Sequence, residues 1–315
     1  MTVEGWRGVP DVLEYGPHVT RFFRALGAVR IGSLRLGTPF VLVHVVALVG
    51  PFLVGVSWAA VATAFVLYLV RVFGITAFFH RGFAHRAFTM GRGVQFAGAV
   101  LGTAAAQQGP LWWAAHHRVH HRFTDKQGDL HSPRMVGFWQ AHMGWVFQPE
   151  AEGTKLEQVR DLARYRELRW LDEHPYVVPA LLGVATWGWG VLLASWGVGT
   201  SGAQMVVWGW FVSTTLLYHA TFLVNSLAHI RGSQPFDAGD DSRNNAFVAL
   251  VTIGEGWHNN HHRFPRSARM GFGRRQPDPT WMVLKVMERL RLIHDLRGPN
   301  EKAIEREQDQ GRLAA

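Results

Sequence analysis

The chain has 315 residues, 48% hydrophobic and 17% charged, with a formal net charge of +9. It contains no cysteine, which excludes disulfides, iron–sulfur clusters, haem–thiolate and cysteine-ligated zinc. High apolar content with few charges points to a membrane protein with a substantial aqueous part. The basic excess comes without a nucleic-acid-binding pattern and fits the cytoplasmic flanks of membrane helices.

The first 35 residues carry Arg7, Arg21, Arg24, Arg30 and Arg35 and no compact apolar run, so residues 1–36 read as a cytoplasmic segment without a cleavable signal. From Gly37 to Val70 there is no Asp, Glu, Lys or Arg. A helix needs ~20 apolar residues to cross the hydrocarbon, which predicts spans at about 38–55 and 57–79, with Pro51 and Gly55 at the outward turn. Arg71 reads either as a snorkelling arginine or as a fixed charge near a buried network. The apolar segment at about 94–109 is too short to cross and reads as re-entrant or interfacial. Parity agrees, since a crossing there would separate His80 from His120. Residues 115–174 read as a cytoplasmic insert, with Glu150 to Arg169 as a solvated surface. Pro175 to Ile230 again lacks charged residues, giving spans at about 176–198 and 203–228. After Pro299, residues 301–315 read as a frayed, charged tail. The expected fold is an all-α integral membrane protein. Its domain covers residues 37–300, with four transmembrane helices, a helical cytoplasmic cap and both termini inside.

Seventeen histidines fall largely into four clusters on that inner side. His117, His120 and His121 share one helical face, because residues i, i+3 and i+4 lie together. The same H-x-x-H-H spacing recurs at His258, His261 and His262. His80 and His85 follow the second span, and His229, with Asn225 one turn earlier, ends the fourth. Neutral imidazole is the commonest protein metal ligand. Nine imidazoles exceed what one metal takes, so two metals are the natural count, though imidazole alone leaves zinc, copper, iron and nickel open. His80 and His85 are ~140° apart on an ideal helix, which predicts a distortion between them.

HRGFAH, HRVHH, NSLAH and GEGWHNNHH, in this order between these spans, resemble the membrane fatty acyl desaturases of the stearoyl-CoA desaturase type. The likeness covers about 220 residues and is closest to the bacterial branch through SRNN (Ser242 to Asn245), HNNHHRFP and SARMG (Ser267 to Gly271). It implies an O2-dependent desaturase that introduces a cis double bond, delta-9-like, into an acyl-CoA or acyl-lipid, in a bacterial inner membrane. It further implies a non-haem di-iron centre held by His80, His85, His117, His120, His121, His229, His258, His261 and His262, with Asn225 reaching one iron through water. Gln107 and Trp113 match positions along the bend of the acyl tunnel.

No flavin, haem or ferredoxin motif is present, so electrons must come from an external donor such as a ferredoxin, a rubredoxin or a cytochrome b5-like protein with its reductase. Arg118, Arg122 and Arg263 offer a basic face for an acidic carrier, or simply mark the inner side. His116 stands where animal enzymes often carry aspartate and reads as a neighbour of the ligands. VFQPE after Trp145 replaces a basic stretch common in acyl-CoA enzymes and leaves the headgroup open. His44 and His219 read as hydrogen-bonded core histidines, His131 and His142 as supports of the ligands, and His18, His174 and His294 as surface groups. Glu255 and Asp129 are candidates to orient ligand imidazoles, and Trp112 reads as an interfacial belt residue. Competing functions are a di-iron hydroxylase acting on fatty acids or alkanes, disfavoured by span count and cluster spacing, and a histidine-rich metal transporter, whose ligands belong near the bilayer midplane.

Overall fold

A computed structural model describes residues 34–313, so the expected cytoplasmic segment 1–36 and His18 fall almost wholly outside the described residues. Helix α1 (Leu34–Val54) is joined by a three-residue turn to α2 (Trp58–Ala84). The shorter α3 (Arg92–Thr103), α4 (Pro110–Phe123), α5 (Phe138–His142) and α6 (Arg166–Glu173) follow. A second long pair, α7 (Val177–Ser195) and α8 (Gly202–His229), leads into α9 (Ala246–Val251), α10 (His258–Arg263), α11 (Pro279–Arg289) and α12 (Glu301–Leu313). Among the described residues, α1, α2, α7 and α8 are long and apolar enough to cross a membrane. Their outward faces are apolar too, as with Leu48, 68% exposed, and Leu181, 62% exposed. Such faces are stable only against lipid.

One end of this bundle is uncharged and tightly tied. Gly55, at φ +70°, ends α1 in the left-handed region that glycine adopts without strain, so α1 continues through Pro51 to Val54. Ser57 caps α2, its hydroxyl accepting from the Ala60 amide at 3.2 Å. Gln204 donates to the Val54 carbonyl and Trp208 to the Gly55 carbonyl, both at 2.9 Å.

The opposite end gathers the rest of the chain. At 1.5 Å per residue α2 is ~40 Å long, more than the ~30 Å hydrocarbon, so its last turns project beyond it. Those turns, Gly74–Ala84, are wound as a π-helix. α3 is only 12 residues long and packs on them through small residues. A Cβ at Gly98 would stand 2.0 Å from Phe78, one at Gly102 would stand 2.2 Å from Phe79, and one at Gly74 would stand 2.7 Å from the Leu101 backbone. A two-residue antiparallel pairing, β1 (Thr89–Met90) with β2 (Ile293–His294), fastens the segment after His85 to the segment after α11.

Three expectations are corrected here. Arg71 does not snorkel: it is 1% exposed and donates to the Thr214 hydroxyl at 2.6 Å and, closer still, to that of Ser213. Residues 150–169 are not simply solvated, because Val159, Leu162 and Leu168 enter the main core and turn the insert into a lid over α3 and α4. The charged stretch after Pro299 forms α12, with Ile304 buried and Glu307 paired to Arg263.

Because Phe79 fills the space beside Gly102, Gly102→Val should overpack α2 against α3 and destabilise the protein by ~1–3 kcal/mol. A lower melting temperature in detergent checks this, and an unchanged one contradicts the close packing.

Candidate metal centre

The π-winding of α2 resolves the awkward five-residue spacing of its histidines. Closing hydrogen bonds from i to i+5 puts residues five apart nearly in line, and the His85 amide donates to the His80 carbonyl at 3.1 Å. The two rings then lie 4.8 Å apart. The two H-x-x-H-H motifs divide in opposite senses. His117 and His121 of α4 join His80, His85 and His261, while His258 and His262 of α10 join His120 and His229. In each motif the i, i+4 pair serves one group and the middle histidine crosses to the other. Within each group the nearest ring nitrogens all lie within 4.8 Å of one another.

The ring nitrogens are arranged for metal rather than for one another. His261 Nε2 lies 3.1 Å from His80 Nε2 and 2.9 Å from His121 Nε2. One ring nitrogen offers a single hydrogen or a single lone pair, so it cannot bond both. His120 Nε2 and His262 Nε2 are buried with no hydrogen-bond partner. Behind the rings stand carboxylates. His80 Nδ1 donates to Glu255, His120 Nδ1 to Asp129 at 3.1 Å, His229 Nδ1 to Asp125 at 3.1 Å, and His262 Nδ1 to Asp240 at 2.7 Å. Each such bond puts the proton on Nδ1 and leaves the Nε2 lone pair facing the centre, the second-shell device that metal sites use to orient imidazoles. The residues therefore fit a pair of metal ions with nitrogen-rich coordination.

Electrostatics disfavours the charged form of most of the set. Burial, and then repulsion from neighbouring imidazoles, pushes His85, His117, His121, His258 and His261 well below the ordinary histidine range. His120 moves the other way. Burial disfavours its cation, but Asp129 outweighs that and raises it. Burial alone would raise Asp125, yet the bond from His229 holds it down at about 2.

The elements are locked by buried ion pairs. Arg81, 0% exposed, bridges Glu255 at 2.9 Å and Asp278 at 2.9 Å, so the carboxylate behind His80 is itself held. Arg118 donates to the Phe83 and Ala84 carbonyls at the end of α2 and to Asp161 at 2.8 Å. Arg118 is thus not available to a docking partner, and Arg263 is paired with Glu307. Arg122 stays exposed. Asp172 of α6 accepts from the Trp112 amide at 2.7 Å and caps α4 from outside.

An apolar cavity meets the centre, with Phe40, Trp145 and Phe222 in its wall together with His80, His117 and His258. Gln107 and Trp113 line it, Gln107 donating to the Thr221 hydroxyl at 2.9 Å and Trp113 stacking on His117 at 5.0 Å. Asn225 also lines it, as do His120 and His258. Trp112 is no belt residue: it is buried, donates to the Ala151 carbonyl at 2.9 Å and stacks on His116, which also lines the cavity. The His131 amide donates to Asp129 at 3.1 Å, and its ring lies 5.5 Å from that of His120. His174 stays at the surface, with Nδ1 donating to the Trp170 carbonyl. Asp125 and Asp240 were not singled out from sequence. The only signal is an aspartate within a few residues of a histidine cluster, as at Asp125 after His121, and for Asp240 there is none.

Two outcomes follow from this geometry. Asp240→Asn should weaken metal binding ~10–100-fold, read by metal content after chelator dialysis. Arg81→Met strands two buried carboxylates and should destabilise the protein by ~3–5 kcal/mol, seen as early thermal unfolding.

The fatty acid desaturase family profile matches residues 56–272. The chain is 41% identical over 266 residues to an acyl-CoA 5-desaturase of Anemone leveillei, covering 82% of this chain and 77% of that protein. It is 38% identical to a chloroplastic palmitoyl-monogalactosyldiacylglycerol delta-7 desaturase of Arabidopsis thaliana, covering 84% and 68%. It is 35% identical to an sn-1 stearoyl-lipid 9-desaturase of Synechocystis, covering 84% and 80%. Four membrane-length helices, two histidine groups beside an apolar cavity and these relatives lead to one conclusion: the chain belongs to the fatty acid desaturase family and is a fatty acyl desaturase.

Proposed function

We propose that the enzyme holds two irons and uses O2 to introduce a cis double bond into a saturated chain esterified to CoA or to a membrane lipid. The observation that carries this is the division of nine imidazoles into adjoining groups of five and four at the wall of an apolar cavity. His80, His85, His117, His121 and His261 would hold one iron, and His120, His229, His258 and His262 the other, with Asn225 beside the second. When bound and reduced by an external donor, such a pair supplies the O2 activation needed to remove two hydrogens from an unactivated methylene pair. The chain's own residues do the rest. Trp113, Phe40, Tyr218 and Phe222 give the alkyl chain an apolar surface and keep bulk water out. Gln107, tied to Thr221, presents a fixed edge against which the chain is bent. Glu255, Asp129, Asp125 and Asp240 fix the imidazoles by holding a proton on each Nδ1.

The basic flanks of the spans support an orientation with the centre and both termini on the cytoplasmic side of a bacterial inner membrane. The donor would be a small acidic carrier of the ferredoxin, rubredoxin or cytochrome b5 kind, meeting the exposed surface around Arg122. The names of the relatives support both acyl-CoA and acyl-lipid substrates.

His120→Ala should abolish desaturation and lower bound iron while leaving the protein in the membrane. Retained activity, or unchanged iron, overturns the assignment. Fatty-acid analysis of a host expressing the chain with a working donor should reveal a new monounsaturated species, and a hydroxylated product would favour the rival chemistry.

A further inference from the structure

Three histidines outside the two groups form a chain of contacts at the seam between α1 and α8. His44 Nδ1 donates to the Phe40 carbonyl at 2.7 Å, and His44 Nε2 faces His219 Nε2 at 3.2 Å. His219 Nδ1 faces His142 Nε2, and His142 Nδ1 faces the Ser226 hydroxyl, both at 2.9 Å. The Ser226 hydroxyl in turn lies 2.8 Å from the Phe222 carbonyl. Five contacts therefore run in line between two backbone carbonyls, which can only accept. Each contact needs one hydrogen, and three neutral imidazoles with one hydroxyl supply four. With neutral rings one link is always open. The chain joins α1, α8 and α5 without bonding them fully, which suits a contact that is made and broken.

Its position is between lipid and cavity. His44 sits among Val41, Val45 and Leu48, which are 47%, 50% and 68% exposed, and Leu216, three residues before His219, is 58% exposed. Immediately inside, Phe40 stacks on Tyr218 at 5.5 Å, and both belong to the cavity wall. From the bilayer inward the order is histidine chain, aromatic pair, cavity. α1 contributes only Leu36, Pro39 and Phe40 to that wall among the described residues. Its hydrogen-bonded ties to α8 through Gln204 and Trp208 lie at the far end, at Val54 and Gly55, where Gly50 also packs on Val207; at the cavity end it packs through Gly37 on the Phe147 ring.

We infer that the seam between α1 and α8 is a lateral gate through which a membrane-resident acyl lipid passes its chain into the cavity, with His44, His219 and His142 as the latch. The inference rests on the desaturase reading and narrows its substrate to an acyl lipid. A chain entering here stays in hydrocarbon throughout, whereas entry from the aqueous end carries its methylenes through water. The cavity wall agrees, since among the described residues it includes no Lys or Arg to meet the phosphates of a CoA.

The absence of cysteine makes the test clean, since thiols exist only where they are introduced. Val45→Cys with Leu216→Cys puts thiols on both lipid-facing margins of the seam and leaves the latch and the cavity wall intact. The protein is reconstituted with its irons and a reducing system into vesicles of a saturated-chain galactolipid. Joining the thiols with a short cleavable cross-linker should stop desaturation of the vesicle lipid, and cleaving it should restore the rate. Each single variant, treated alike, should keep the parent rate. Full turnover with the cross-link verified by mass spectrometry overturns the gate. The latch is tested apart from it by His219→Leu, which removes both central links. A rise in kcat/KM for vesicle lipid at unchanged kcat supports the latch, and no change or a fall overturns it. A parent enzyme that desaturates added stearoyl-CoA but not vesicle lipid sinks the gate and leaves the desaturase standing. If neither is desaturated, both fall.

Discussion

Nine imidazoles can occupy one dry space only if they remain uncharged and do not need one another as hydrogen-bond partners. Both conditions are met by what lies behind the rings. Burial and mutual repulsion keep most of the set neutral, and carboxylates from Glu255, Asp129, Asp125 and Asp240 accept the Nδ1 hydrogens. The lone pairs of the opposite nitrogens are then left facing each other, which is unfavourable without a cation between them. A cation coordinated there would relieve that repulsion, and much of the remaining architecture keeps it from relaxing in other ways.

Four chain segments far apart in sequence must meet within a few ångströms, and two arginines hold them there. Arg81 ties the end of α2 to Glu255 and Asp278. Arg118 ties α4 to the last carbonyls of the same helix and to Asp161 of the insert. Removing Arg81 leaves two buried carboxylates without water or counter-charge, and Arg118 adds a partly buried tie, so together they act as a frame. The glycines of α3 serve the same end differently. They let two aromatic side chains of α2 sit against backbone, so that the π-wound turns carrying His80 and His85 are supported along their length.

The cavity follows from the same frame. Trp113 stacks on His117, and Gln107 is tied to Thr221 of α8, so the alkyl-binding wall and the ligand helices are mechanically one piece. On the α1 side a partly bonded chain of histidines and one aromatic pair stand between it and lipid.

Charge-free stretches and repeated H-x-x-H-H spacing were enough to read the four long helices and nine clustered histidines, because hydropathy and helical periodicity are local properties of the chain. The need for a distortion between His80 and His85 was legible for the same reason. Local pattern could not say how the nine divide. That depends on two short helices, α4 and α10, meeting so that each sends its i, i+4 pair to one group and its middle histidine to the other. Nor could it separate a buried arginine from a snorkelling one, as with Arg71, or find Asp240, whose partner His262 lies 22 positions away. Such contacts join residues that share no segment, and they exist only once the tertiary packing has removed water from between them.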